Sequence, residues 1–96
     1  MSYNYPFKFA PEATKKTVWQ NGGTFIPGRS PDEWKYDRCG AIMQYSKHGD
    51  TNSQYGWEID HIIPQAHGGT DIITNLQPLQ WRNNRKKGDN LIWNCK

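Results

Sequence analysis

The sequence has little apolar material and very little cysteine. Hydrophobic residues make up 34% of its 96 positions, against roughly 45–50%, with glycine counted, in an average globular domain. No apolar run approaches the ~18 residues of a membrane-spanning helix, so we expect no membrane segment. Two cysteines, Cys39 and Cys95, are too few for a disulfide-rich scaffold. Free thiols are the expectation for both, with a single bridge as the alternative.

We also expect no secretory signal. The N-terminal stretch MSYNYPFKFAPEATKK has no apolar segment behind basic residues, which does not fit a signal peptide and makes a cytoplasmic location the default expectation. Aromatic residues are plentiful instead, with five Trp, five Tyr and three Phe. Each of these side chains buries ~150–250 Å² on folding. We therefore predict one small domain with an aromatic core, near the lower size limit for independent folding.

Positive charge is concentrated near the C-terminus. The formal net charge of +3 is weak evidence alone, but Arg82, Arg85, Lys86 and Lys87 lie close together with only Asp89 to offset them. Such a cluster favours an anionic partner, most often nucleic acid. The plainer interpretation is a solvated helix face, and from charge alone that interpretation would win.

The first half of the chain gives weak structural signals. Residues 1–16 contain two prolines and lack periodicity, so we interpret them as an extended arm that packs aromatic side chains onto the body. Residues 17–28 predict two short strands around an Asn-Gly turn. Ser30, followed by Pro-Asp-Glu, predicts a short helix or turn near residues 31–36. Residues 41–45 predict a strand, and a polar loop follows it.

The stretch YGWEIDHIIPQAHGG, residues 55–69, contains a clear strand pattern. Alternation places Trp57, Ile59 and His61 on one face and Glu58 and Asp60 on the other. Two carboxylates and an imidazole are unusual in one of the few segments able to build a core. The strand therefore becomes the first candidate for a functional site.

The rest of the chain predicts a loop, a second strand and a helix. A Gly-Gly pair at 68–69 marks a sharp turn, and residues 74–79 form a short extended piece. Residues 79–87 contain helix formers, and Gly88 supplies a C-cap. The apolar tail after Gly88 is expected to pack back on the domain. The order is therefore strand, long loop, strand and helix.

Three polar side chains in this segment are placed to meet. A helix packed beside the first strand would bring Asn84 next to Asp60, with His61 pointing at a neighbouring spot. Oxygens of Asp and Asn suit a hard divalent cation. With two protein ligands, such a cation would keep waters and have room for a phosphate oxygen. A neutral imidazole nearby can deprotonate water, so these parts describe metal-assisted phosphodiester hydrolysis.

Residues 59–89, IDHIIPQAHGGTDIITNLQPLQWRNNRKKGD, resemble the ββα-metal motif of HNH endonucleases. The Asp-His pair, the Gly-Gly loop, the Asn-Leu-Gln of the second strand and the helical Asn-Arg-Lys appear in family order. His61 and Asn75 are fourteen positions apart, and Asn75 and Asn84 are nine apart. The same intervals occur in the HNH module of RNA-guided DNA-cutting effectors. The resemblance covers about a third of the chain.

The resemblance implies a role for each matching residue. His61 would be the general base, Asp60 and Asn84 the metal ligands, and Asn75 the residue that braces the loop and orients the histidine. Because the last ligand is Asn rather than His, Mg²⁺ or Mn²⁺ is the expected metal, with Zn²⁺ or Ni²⁺ as alternatives. An error of one position would exchange Asn84 for Asn83.

The chain departs from the family in its cysteines. Many HNH proteins hold the motif together with a zinc ion on two Cys-x-x-Cys pairs. Cys39 is followed by Ile42 and Met43 where its partner would stand, and Gln80 and Asn83 stand where the second pair would be. No structural Cys₄ zinc is therefore expected.

Together these observations predict a small α+β domain with a ββα-metal core. Its parts are an N-terminal arm and scaffold at 1–54, the HNH motif at 55–89 and a tail at 90–96. The predicted function is metal-dependent hydrolysis of double-stranded DNA. Arg82, Arg85, Lys86, Lys87 and His67 are the predicted nucleic-acid contacts.

Several alternatives stay open from the sequence. A DNA-binding module without catalysis would use the same basic helix, and a small zinc-stabilised interaction domain would use the cysteines and histidines. Glu58 is either a residue that supports the site or a solvent-facing strand residue. Monomer and homodimer are both compatible with the sequence.

Overall fold

The computed structural model describes residues 3–95. Within these residues the chain forms two α-helices and five strands, joined by loops with short 3₁₀ turns. In chain order they are α1 (Glu12–Asn21), β1 (Thr24–Phe25), β2 (Trp34–Tyr36), β3 (Ile42–Gln44), β4 (Trp57–His61), β5 (Leu76–Gln80) and α2 (Trp81–Lys87). Strands β1, β2 and β3 form one antiparallel sheet, and β4 and β5 form another. The predicted α+β class is confirmed.

The predicted order of strand, loop, strand and helix is confirmed for β4, β5 and α2. The two strands pair from Trp57 opposite Gln80 to His61 opposite Leu76, and α2 packs against both. Helix α2 begins at Trp81, two residues later than expected, because Leu79 and Gln80 still pair with β4. The helix ends before Gly88, whose positive φ of 51° suits glycine.

The segment after the N-terminal arm differs from the sequence-based expectation. Residues 12–21, predicted as the end of an arm and the start of a strand, form helix α1. The helix buries Val18 and Trp19 in the core, so tertiary packing overrides the β-propensity of these two residues. Only Thr24–Phe25 remains extended. The short helix or turn predicted near residues 31–36 is a turn at 31–33, and Trp34–Tyr36 already belong to β2.

The arm before α1 packs on the domain through alternate aromatic residues. The Tyr3 ring lies 4.3 Å from the Arg85 guanidinium. Tyr5 bonds the backbone of β4, and Phe7 packs against the His61 ring. Phe9 points outward and is 91% exposed.

The core is aromatic, as the composition predicts. Trp57 is completely buried, and its ring centroid lies 5.1 Å from that of Trp19 on α1. Met43, Ile59 and Leu76 complete the centre of the cluster. The core thereby joins α1, the first sheet and the β4–β5 pair.

The cysteines are not free thiols. Cys39 and Cys95, which are 56 positions apart in sequence, form a disulfide with Cα atoms 5.4 Å apart. The expectation of free thiols is therefore wrong, because the tail folds back onto the turn after β2. Arg38 supports this packing by donating to the Trp93 carbonyl oxygen at 3.2 Å. The described residues include no helix that is both long and apolar enough to span a membrane.

Candidate active site

An open cavity of about 560 Å³ lies between the end of β4, helix α2 and the N-terminal arm. Asp60, His61 and Asn84 all line it. The arm contributes Tyr3 to one wall, and Arg85 lies beside Asn84. Three of the four residues of the predicted catalytic set therefore share one cavity. Asn75 is absent from its lining and lies in the loop behind it.

Asp60 is buried at the end of β4 and held on both carboxylate oxygens. Its Oδ2 accepts a hydrogen bond from Gln77 Nε2 at 2.9 Å, and its Oδ1 lies 3.2 Å from Lys87 Nζ. Burial raises the pKa of Asp60, while the contacts with Gln77 and Lys87 oppose that rise. The carboxylate thus has a fixed orientation without a metal.

Asn84 is held by a second buried carboxylate. Its Nδ2 donates to Glu58 Oε1 at 2.8 Å, and Glu58 is only 1% exposed. Because an ionised carboxylate can only accept hydrogen bonds, the amide nitrogen must face Glu58. The amide oxygen is then the atom left for the cavity. Asn83 instead bonds Asp37 on another side of the helix, so the structure places Asn84, and not Asn83, in the cavity.

Glu58 also binds Arg85, which answers the question that the sequence left open. Arg85 donates through Nε to Glu58 Oε1 at 3.2 Å and through a terminal nitrogen to Oε2 at 2.9 Å. This two-point pairing is the geometry in which arginine binds carboxylate most strongly. The hydrogen bond to Glu58 raises the pKa of Arg85. Glu58 is therefore a buried support for Asn84 and Arg85 rather than a solvent-facing residue.

His61 is held from three directions. Its ring packs against Phe7, with centroids 5.1 Å apart, and its side chain is only 11% exposed. Its Nε2 lies 2.7 Å from Asp71 Oδ1. Its backbone oxygen accepts a hydrogen bond from Lys87 Nζ at 2.8 Å. Asp71 was missed in the sequence, where a carboxylate in a polar loop carries no distinguishing signal.

Asn75 closes the loop between β4 and β5. Its Oδ1 accepts from the Ile63 backbone N–H at 2.8 Å, and its Nδ2 donates to the carbonyl oxygens of Ile63 and Thr70 at 3.1 and 2.9 Å. The loop is tight beside these bonds, since a Cβ atom on Gly69 would lie 1.6 Å from the Ile63 oxygen. Asn75 thus braces the backbone on both sides of the loop.

The basic cluster of the sequence divides into an exposed and a buried part. Arg82 and Lys86 are exposed, one helical turn apart on the outer face of α2. Lys87 is only 2% exposed and is bonded to Asp60 and His61. The expectation that all four cations face a nucleic acid therefore does not hold for Lys87, because the helix turns it inward.

A polar network stands where the family resemblance would place the second cysteine pair. Asp37 Oδ2 accepts from the Gln80 backbone N–H at 3.0 Å and from Asn83 Nδ2 at 2.9 Å. Its Oδ1 accepts from the backbone N–H groups of Cys39 and Ala41, both at 2.9 Å. One buried carboxylate thereby ties the turn after β2 to the start of α2.

The donor set of the cavity fits a hard divalent cation. Asp60 offers a carboxylate and Asn84 an amide oxygen, which are ligands that Mg²⁺ and Mn²⁺ accept. Across residues 3–95, no three His, Cys, Asp or Glu side chains converge as a metal cluster. A cation held here would complete its shell with water and phosphate oxygens, as Mg²⁺ commonly does.

Comparison with known proteins agrees with this geometry. A family model described as HNH endonuclease matches residues 38–95, a range that includes β3, β4, β5, α2 and the tail. No curated protein matches the chain, and no solved structure does. The family match covers more than half of the chain and contains every residue of the predicted catalytic set. The protein belongs to the HNH endonuclease family.

Proposed function

We propose that this protein is a metal-dependent endonuclease that hydrolyses phosphodiester bonds of double-stranded DNA. The observation that carries the proposal is the convergence of Asp60, His61 and Asn84 on one cavity. Each of the three is held by a different partner: Lys87, Asp71 and Glu58. Such fixed orientation is what a catalytic set requires.

In this proposal His61 is the general base. Its neutral imidazole takes a proton from a water molecule, whose oxygen forms a bond to phosphorus. The bond from phosphorus to the 3′ oxygen breaks on the opposite side, which leaves a 5′-phosphate and, after protonation by solvent, a 3′-hydroxyl. General base catalysis of this kind contributes typically 10²–10⁴-fold to a rate.

Asp60 and Asn84 would hold the metal, with Mg²⁺ or Mn²⁺ preferred and Zn²⁺ or Ni²⁺ as alternatives. When bound, the ion would supply positive charge that stabilises the negative charge developing during hydrolysis. The carboxylate of Asp60 contributes charge, and the Asn84 amide contributes an oxygen fixed by Glu58. Two protein ligands leave most of the coordination shell to water and substrate.

DNA would cross the mouth of the cavity, with flanking phosphates near the exposed basic residues of α2. Arg82 and Lys86 are exposed on that helix and would contact phosphates without reading sequence. Arg85, which is partly exposed at the cavity, would contact the strand that is cut. His67, exposed in the loop between β4 and β5, would contact a neighbouring phosphate.

The oligomeric state and the location belong to the same proposal. A monomer would nick one strand, and a homodimer would cut both, so nicked and linear plasmid distinguish them.

A cytoplasmic location stays an expectation, but a bridge such as Cys39–Cys95 is rare in that compartment. Alkylation of thiols during cell lysis, followed by mass spectrometry, measures the redox state of the two residues.

The test is incubation of supercoiled plasmid with the protein in Mg²⁺, Mn²⁺, Ni²⁺ or Zn²⁺. Wild type should produce nicked or linear DNA, and His61→Ala should lose ~10²–10⁴-fold in rate while keeping its fold and metal binding. Asp60→Ala should also lose cleavage, whereas Asp32→Ala, which removes an exposed carboxylate in the turn before β2 and outside the cavity lining, should not. Cleavage by His61→Ala at the wild-type rate would remove His61 from the mechanism.

One observation favours a second candidate. Lys87 already pairs with Asp60, so this carboxylate has a buried cationic partner of its own. A module that binds DNA but does not cut it would fit this arrangement. It would bind DNA with a steep salt dependence and leave the plasmid supercoiled in all four metals.

A further inference from the structure

The loop between β4 and β5 carries a carboxylate that touches the proposed general base. Asp71 Oδ1 lies 2.7 Å from His61 Nε2, which is a short distance for a hydrogen bond between these groups. The two residues are ten positions apart. The contact depends on the folded loop, because nothing in the local sequence brings them together.

The contact determines which ring nitrogen carries the proton. A carboxylate oxygen can only accept, so Nε2 must be the protonated nitrogen of a neutral ring that makes this bond. The lone pair is then on Nδ1. A histidine oriented in this way by a carboxylate is a recurring arrangement, because the acceptor fixes both the tautomer and the ring angle.

The loop holds Asp71 through Asn75. The Asn75 side chain joins Ile63 on one side of the loop to Thr70 on the other. Thr70 immediately precedes Asp71, so the brace fixes the backbone from which the carboxylate projects. On the other side of His61, the Phe7 ring limits rotation. The His61 ring is therefore packed against Phe7 on one side and hydrogen-bonded to Asp71 on the other.

We propose that Asp71 is the positioning residue of the proposed nuclease, holding His61 as the Nε2–H tautomer so that Nδ1 takes the proton from water. The inference rests on the proposed function for its catalytic part. It assigns Asn75 an indirect effect on the histidine, through the backbone that carries Asp71. Asp71 itself touches neither metal nor DNA in this assignment, and its side chain is 67% exposed.

The kinetic test is a double-substitution cycle on plasmid cleavage. Asp71→Ala should lower kcat about 10–100-fold, the range found when outer partners of ligating histidines are removed, with little change in KM. Asp71→Glu should restore part of the rate because it returns an acceptor. Asp32→Ala, which removes an exposed carboxylate in the turn before β2 that does not line the cavity, is the matched control and should cleave as wild type does.

The cycle separates positioning from a structural role. If Asp71 acts through His61, adding Asp71→Ala to His61→Gln should not lower the residual rate further. A further loss of the same size in the His61→Gln background would overturn the inference, since Asp71 would then act independently of the ring. An Asp71→Ala variant that cleaves at the wild-type rate would overturn it as well.

A spectroscopic test does not depend on cleavage. In ¹⁵N-labelled protein, His61 should show a protonated Nε2 with a downfield proton that Asp71→Ala removes, and His61→Gln assigns the signal. A protonated Nδ1 in the neutral wild-type ring would overturn the inference. If wild type cuts no plasmid while the Nε2–H signal depends on Asp71, the proposed nuclease function fails but the tautomer assignment stands.

Discussion

The two ends of α2 are both held by buried carboxylates, but the bonding differs. At its start, Asp37 accepts hydrogen bonds from three backbone N–H groups and the Asn83 amide. In its second half, Glu58 and Asp60 pair with charged side chains of the helix. The first arrangement uses neutral donors and faces the scaffold, and the second uses ion pairs and borders the cavity.

The first arrangement stabilises the scaffold, whereas the second also positions residues of the candidate active site. The hydrogen bonds of Asp37 position no side chain of the helix toward the cavity. Their role is to connect the turn after β2 to the start of α2. Glu58 and Asp60 leave Asn84 and the Asp60 carboxylate at the cavity wall while charged partners fix their angles. Removing the carboxylate that holds the start of α2 should therefore cost stability alone. Removing a carboxylate that holds its second half should cost both stability and activity.

The largest effect is expected from Glu58→Ala. The substitution leaves the Arg85 charge and the Asn84 amide without their buried acceptor, and breaking such a pair costs about 3–5 kcal/mol. Urea unfolding measures this change. The cleavage rate should decrease even in the fraction that stays folded, because the Asn84 side-chain amide is then free to rotate. Wild-type cleavage by folded Glu58→Ala would remove the distinction between the two ends of the helix.

Removing the disulfide should lower the free energy of unfolding by a similar amount without changing the activity of the folded protein. The bridge joins residues 56 positions apart, and the chain-entropy model gives about 4 kcal/mol for a loop of this size. The paired substitution of Cys39 and Cys95 by Ser should lower the free energy of unfolding, measured in urea without reductant. The folded fraction should cleave at the wild-type rate, and a loss of rate would link the tail to the catalytic residues.

Asp37→Ala should be next in size. Of its four hydrogen bonds only the one from the Gln80 N–H is fully buried, and the other three donors are partly exposed, so the loss should be about 1–3 kcal/mol. Asp37→Asn keeps the shape and part of the acceptor capacity, so it should lose less. Both should cleave normally below their unfolding temperatures. Metal-dependent recovery of stability in Asp37→Ala would contradict a scaffold made of hydrogen bonds alone.

The smallest effects should come from the surface cations of α2. Arg82→Ala and Lys86→Ala should each reduce the salt dependence of DNA binding by about one unit of slope, since each phosphate contact releases about one counterion. Lys87→Met should leave that slope unchanged because Lys87 is buried. It should instead lower the free energy of unfolding, because Asp60 loses a buried partner, and tighten binding of Mn²⁺, because a cation beside Asp60 is gone. A change in salt slope for Lys87→Met would place Lys87 at the DNA.

The parts that the sequence predicted are those with local patterns. The alternation around Asp60 and His61, the Gly-Gly turn and Gly88 after the helix lie within the segments that they shape. The position of Asn84 followed from its interval to Asn75. These features gave the ββα segment and three residues of the cavity.

The parts that it missed depend on contacts distant in sequence. Asp37 and Asp71 look like ordinary loop acids until the chain brings them to α2 and His61. Helix α1 was missed because its β-branched and aromatic residues are stabilised by the core rather than by local preference. Lys87 was assigned to the surface because a run of cations does not reveal which one the helix turns inward.

The Cys39–Cys95 bridge also gives the molecule a closed covalent ring. Strands β4 and β5 and helix α2 all lie between the two cysteines, so one peptide bond cut within that ring cannot separate the pieces. A protease that nicks the polar loop between β3 and β4 would leave a single species on a non-reducing gel and two fragments after reduction. The nicked protein would keep every residue of the cavity in one molecule, so resistance to digestion and retention of cleavage activity are separate properties of this fold.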